Sequence, residues 1–172
     1  MNKILTCSFF FRQIFYKSFA IIANQERRIK MFKINNNTLF MEFNGENTIV
    51  HEEDNQLKFG GNLLNSILNF SCIYYGSSLK GRIMGSKNIL GGCYKLPIMI
   101  SEKNNIIFFP IKEEKSYYWL NFNKVQNYEK SQNGIVVLFK NGEKKCFSIT
   151  PTKFNNQLLK CSRLWLVYLT RG

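Results

Sequence analysis

Histidine occurs once, at His51, and the five cysteines Cys7, Cys72, Cys93, Cys146 and Cys161 contain no C-x-x-C pair. Zinc-ligand spacing is therefore missing, and no metal or cofactor is expected. An odd number of thiols without framework spacing also argues against a disulfide scaffold and for a reducing cytoplasm. Cys72, Cys146 and Cys161 stand inside apolar runs and are expected to be buried as small hydrophobes. Catalytic machinery is lacking too: no paired carboxylates mark a polar pocket, and no nucleophile has a histidine at hand. His51 itself borders the acidic run Glu52-Glu53-Asp54-Asn55 and is expected at the surface. Long apolar runs are missing as well. The longest uncharged stretch, Phe59–Leu79, is broken by Asn62, Asn65, Asn69 and several serines, so no segment is expected to cross a membrane. Alanine is confined to Ala20 and Ala23 amid abundant Asn, Lys, Ile, Phe and Tyr. That bias is what an A/T-rich genome writes, and it accounts for part of the lysine excess.

Acidic residues are the most informative scarcity. The chain of 172 residues holds 24 basic and 11 acidic side chains, a formal charge of +13. Residues 1–30 carry 6 basic and 1 acidic, residues 31–75 carry 2 and 5, and residues 76–172 carry 16 and 5. From Asn55 to Ser101 there is no acid at all, while Lys58, Lys80, Arg82, Lys87 and Lys95 all fall there. Codon bias does not explain that gap, because Asp and Glu codons tolerate A/T well. A polyanion partner follows, with DNA or RNA ahead of an anionic membrane surface.

The length suits one domain with an N-terminal extension. Residues 1–30 look foreign to the rest, and Arg12 and Lys17 spoil Ile4–Phe11 as a signal sequence. The codons for Glu26-Arg27-Arg28-Ile29-Lys30 resemble a purine-rich ribosome-binding site ahead of Met31, which makes Met31 an alternative start. From Phe32 the pattern alternates: Phe32 and Ile34, then Leu39, Met41 and Phe43, predict a hairpin about Asn35-Asn36-Asn37. Asn44-Gly45 turns the chain into a further strand at Thr48-Ile49-Val50. Asn62 is placed to cap a helix bearing Leu64, Ile67, Leu68, Cys72 and Tyr75 on one side, ended by Gly76. Ser77 or Ser78 caps a second, basic helix that ends near Gly91-Gly92. Strands are predicted at Pro97–Ser101, Ile106–Pro110, Tyr117–Asn121, Ile135–Lys140 and Lys144–Ile149, with Asn141-Gly142 turning the last pair. Thr150 and Pro151 open a final helix striped by Phe154, Leu158, Cys161, Trp165 and Tyr168. The expected fold class is α+β: antiparallel β hairpins flanking a central helix pair, with a C-terminal covering helix.

The turn between the central helices concentrates hydroxyls, helix-terminal amides and cations, which together describe a phosphate site. Ser77, Ser78, Lys80, Gly81, Arg82, Lys87 and Lys95 are the candidate DNA-binding residues. Arg82 is expected to insert into a groove, with Lys80 and Lys87 on phosphates. Gly76-x-x-x-x-Gly81 superficially matches a nucleotide-binding loop, but Arg82 and Ile83 replace its lysine and its hydroxyl, and a helix precedes it. An alternative is an RNA-binding or anionic-surface module using Tyr74, Tyr75, Tyr117 and Tyr118.

Ser71-Cys72-Ile73-Tyr74-Tyr75-Gly76-Ser77-Ser78-Leu79-Lys80-Gly81-Arg82, together with Lys95-Leu96-Pro97-Ile98-Met99-Ile100, Phe108-Phe109-Pro110, Trp119 and Phe139-Lys140-Asn141-Gly142, resembles the ComK family of competence transcription factors over about Met31–Thr170. The resemblance implies a cytoplasmic activator without enzymatic activity. Such a protein would recognise paired A/T-rich boxes on double-stranded DNA through the minor groove, as a homodimer or dimer of dimers. Three departures stand out. Ile83 follows Arg82 where the family has another basic residue, and Ile111-Lys112-Glu113 follows Phe109-Pro110 where Thr and Ser are usual. The family's C-terminal tail, which binds the adaptor that delivers these proteins to a protease, is expected to be absent. A domain of residues 31–172 without that tail would escape the adaptor or be a shortened, non-functional copy.

Overall fold

The computed structural model describes residues 32–92 and 94–171, and those residues form two antiparallel sheets and three helices. The expected extension at residues 1–30, its alternative start at Met31, and Cys7 and Cys93 lie outside the described residues. The large sheet contains β1 (Thr38–Phe43), β2 (Asn47–Glu52), β3 (Gln56–Gly60), β4 (Ile98–Ser101), β5 (Ile106–Lys112) and β6 (Tyr117–Asn121), in the order β3-β2-β1-β6-β5-β4. A 3₁₀ turn at Phe122–Lys124 leads to the small sheet, β7 (Val125–Ser131), β8 (Gly134–Phe139) and β9 (Lys144–Phe147). The helices are α1 (Leu64–Tyr74), α2 (Leu79–Leu90) and α3 (Pro151–Leu169). The fold is α+β, with the central pair and the C-terminal helix in their expected places.

One face of the large sheet gives Leu39, Phe40, Ile107, Phe109 and Leu120 to a core shared with Ile135, Val137, Phe139 and Phe147 of the small sheet and Phe154, Cys161 and Leu164 of α3. Phe40 stacks on Phe139 at 5.2 Å between ring centroids, and Phe109 meets Phe154 edge-on at 5.7 Å. On β5 the intervening Ile106 and Phe108 are just as buried, because α1 and α2 close the sheet's other side through β1 and β4. Burial on both faces explains why Ile106–Ile111 reads as an unbroken apolar run.

Several expectations are corrected. The hairpin about Asn35–Asn37 does not form, although the turn does. Ile34 is fully buried, and its backbone is claimed by α1: its N–H donates to Ser71 Oγ at 2.9 Å, and its carbonyl accepts from the Tyr75 hydroxyl at 3.1 Å. Asn62 does not cap α1. The helix starts after Leu63 without a side-chain cap, and the Leu63 N–H donates instead to Thr48 Oγ1 at 2.8 Å. Cys146 is exposed, since Phe147 beside it takes the inward side of β9. His51 is buried, stacked on Phe40 at 4.0 Å. Strands β3 and β7 were not expected; apart from Phe59 their residues are exposed or half-buried, so neither carries a clear apolar alternation.

Candidate nucleic-acid interface

The α1–α2 turn is built by local signals. Gly76, at φ +82°, turns the chain off α1, with its N–H on the Ile73 carbonyl at 3.0 Å and the Ser77 N–H on the Cys72 carbonyl at 2.9 Å. A side chain would strain that left-handed backbone. Ser78 caps α2, its Oγ accepting the Gly81 N–H at 3.0 Å, while Asn69 Oδ1 from α1 accepts the Leu79 N–H at 3.1 Å. Two of the helix-terminal amides expected to receive a phosphate are thus used by the protein's own side chains. Gly81 has a packing role: a Cβ there would lie 3.2 Å from Ser77 Oγ and 3.3 Å from Ser78 Oγ. Ser77, Ser78 and Gly81 therefore shape the turn.

Lys80 and Lys87 are exposed on α2. Seven residues make almost two helical turns, so they share a face, and positions three and four beyond Lys80 lie between them. Those positions are Ile83 and Met84, exposed by 38% and 56%. The outer face of α2 is therefore a stripe, cationic at both ends and apolar in the middle. Among the described residues no carboxylate pairs with Lys80, Lys87 or Lys95. Lys95 is also exposed, but on the loop after α2, where its φ is +52°.

Arg82 is placed differently from a free groove-inserting arginine. Its Nη1 pairs with Glu102 Oε1 at 2.8 Å on the β4–β5 turn, and its Nη2 lies 3.5 Å from the Tyr75 carbonyl at the end of α1. Its side chain is only 11% exposed, against 55% for Glu102. The guanidinium thus ties α2 to α1 and to the sheet. Beside it, burial pushes the Cys72 thiol up to about 11, with Arg82 acting in the opposite direction.

The tyrosines of the alternative module are mostly committed to the fold. Tyr117 sits edge-on to Trp119 and Tyr118 edge-on to Phe147, and burial raises the pKa of both. Tyr75 is half-buried, holding the Ile34 carbonyl. Tyr74 alone of the four is exposed, with its hydroxyl accepting from Lys33 Nζ at 2.9 Å, which holds its pKa below the usual value. Missed altogether were Met84, hidden among the helical positions, and Tyr94, whose 93% exposure has no sequence pattern to announce it.

Residues 29–171 match the family described as ComK protein. The chain belongs to the ComK family. It is 28% identical over 103 residues to a protein of Bacillus subtilis (strain 168) named Competence transcription factor, covering 58% of this chain and 53% of that protein. The chain thus matches about half the length of that ComK-family relative. No solved structure matches. No described helix is long and apolar enough to cross a membrane.

Proposed function

We propose that the chain is a competence transcription factor that binds double-stranded DNA through the outer face of α2. The observation that carries this reading is the Lys80–Ile83–Met84–Lys87 stripe, exposed within a stretch devoid of acids. Family membership and the printed name of the Bacillus subtilis relative support it. Narrow, electronegative A/T tracts attract lysines, and apolar side chains wedge between base steps from the minor groove, so a stripe of this composition suits A/T-rich boxes read there. Lys80 and Lys87 contact phosphates, Ile83 and Met84 enter the groove, and Arg82 holds the helix that presents them. The domain begins near Met31, and a homodimer or dimer of dimers would place two such helices on paired boxes.

The test is a competition at fixed salt among an A/T-rich duplex, a G/C-rich duplex, single-stranded RNA and anionic vesicles. Preference for the A/T-rich duplex is expected. Stronger binding to RNA or vesicles would transfer the function to the alternative module, and indifference to base composition would remove the minor-groove assignment.

A further inference from the structure

The basic surface continues beyond α2. After α2 the chain passes Gly91 and Gly92, at φ +80° and +71°, to Tyr94 and Lys95. Lys95 holds a left-handed φ of +52° without being glycine, a conformation that costs about 1 kcal/mol or more. The loop is clamped while it does so. Lys160 Nζ donates to the Tyr94 carbonyl at 3.0 Å, and Gln157 Nε2, on a side chain nine-tenths buried, donates to the Lys95 carbonyl at 3.1 Å. Two backbone carbonyls are fastened to α3, yet the Tyr94 side chain projects into solvent at 93% exposure. A large aromatic is thus presented to solvent on an anchored backbone.

Beside it opens a cleft of about 370 Å³ between this loop, the end of β5 and α3. Lys95, Lys112, Lys153 and Lys160 line it, against Glu113 and Glu114. Glu113 is turned inward: one carboxylate oxygen accepts the Ser148 N–H at 2.6 Å, and the other lies 3.5 Å from the Tyr118 hydroxyl. Glu114 is the exposed acid at the edge. The balance is cationic, and the cleft is open to solvent. Lys87, in the last turn of α2, lies beside Gly92, so the cations run from α2 through the loop to α3.

We propose that this cleft, with Tyr94 at its edge, is a second duplex-binding surface that lengthens the footprint begun on α2. This rests on the reading of α2 as a DNA-binding face. A length argument favours it. Lys80 and Lys87 are about 10 Å apart along the helix, which covers roughly three base pairs, too short for a selective site alone. Lysines at the cleft take phosphates, and Tyr94 lies against sugar or an unstacked base.

The experiment uses the full chain and a fluorescently labelled A/T-rich duplex, titrated over a salt series. Lys112→Gln/Lys153→Gln is the deciding variant, because both lysines are exposed and neither clamps the loop. It should bind about tenfold more weakly at moderate salt, with the log–log salt slope reduced by about two. Tyr94→Ser should weaken binding about fivefold at unchanged slope. Lys80→Gln/Lys87→Gln serves as the α2 reference, and thermal midpoints establish that each variant is folded. If Lys112→Gln/Lys153→Gln keeps wild-type affinity and slope while the α2 variant is impaired, the second surface is refuted and α2 stands. If the wild-type chain ignores duplex even in dilute salt, the DNA reading falls and takes this one with it.

Discussion

At the β1–β2 end of the large sheet, Glu42 lies 3.3 Å from His51 Nε2 and 2.9 Å from Lys145 Nζ, and Glu53 pairs with Lys124 at 2.7 Å. On α2, Lys80 and Lys87 face solvent with no carboxylate partner among the described residues. Both regions are rich in charge, but they use it differently. In the first, acids from β1 and the β2–β3 turn meet cations that follow the first six strands in the chain, so the charges bind the small sheet and its approach to the large one. In the second, the local absence of acids leaves Lys80 and Lys87 without a counter-ion among the described residues. Charge sign alone does not separate these uses; pairing does.

The largest effect should come from breaking the paired region. Glu42 is buried between His51 and Lys145. Glu42→Ala leaves a lysine in a half-closed site without its counter-ion and should cost about 3 kcal/mol, read as a lower urea midpoint at unchanged m-value. Acid should erode the same contribution. Burial works to raise the Glu42 pKa, but hydrogen bonds from His51 and Lys145 outweigh it and hold the carboxyl below its ordinary value of 4.5. A folded-state value below the unfolded one means that Glu42 stabilises the fold above about pH 4.5, with the contribution lost as pH falls through the folded value. Glu42→Gln should therefore show a shallower decline in stability below about pH 4.5 than wild type; equal declines would assign the acid sensitivity elsewhere.

The unpaired region should respond in binding and hardly at all in stability. Lys80→Ala should weaken A/T-rich and G/C-rich duplexes alike, by about fivefold at moderate salt, and reduce the salt slope by about one. Met84→Ala should keep the slope and lose part of the A/T preference, because an apolar wedge acts on base steps and not on phosphates. Matching slopes for wild type and Lys80→Ala would take that lysine off the DNA.

Legibility in the sequence followed the range of the interactions. The cap of α2 at Ser77 or Ser78, its end near Gly91-Gly92, Thr150-Pro151 opening α3 and Asn141-Gly142 turning β8 into β9 are set by neighbours a few residues apart, and were readable to within a residue. His51 was misplaced because Phe40 and Glu42, which bury it, lie on the partner strand. The local acidic run pointed outward, and the cross-strand stack decided the matter. The cationic gap from Asn55 to Ser101 was visible, but the fate of one of its members was not: Glu102, which takes Arg82, stands one residue beyond it. Tyr94 was unreadable for a different reason, since exposure on a clamped loop leaves no periodic trace.

Arg82 is the case on which the comparison turns, because it is a paired cation inside the unpaired region. As a positioning residue it should behave like the charges of the sheet end. Glu102 is half exposed, so solvent screens the pair, and Arg82→Ala should cost only about 1 kcal/mol of stability. Glu102→Ala should then cost little more once Arg82 is gone, a non-additivity that a double-mutant cycle reads directly. In binding, Arg82→Ala should lower duplex affinity modestly through a loosened α2, with the salt slope and the A/T preference retained. A groove-inserted arginine predicts the opposite pattern. Arg82→Ala would then reduce the slope by about one or abolish the A/T preference, and Glu102→Ala would strengthen binding by releasing the guanidinium from its carboxylate. Losing the Glu102 charge favours a polyanion in either case, so the salt slope and the A/T preference of Arg82→Ala decide whether Arg82 belongs with the charges that hold the fold together or with those that leave it.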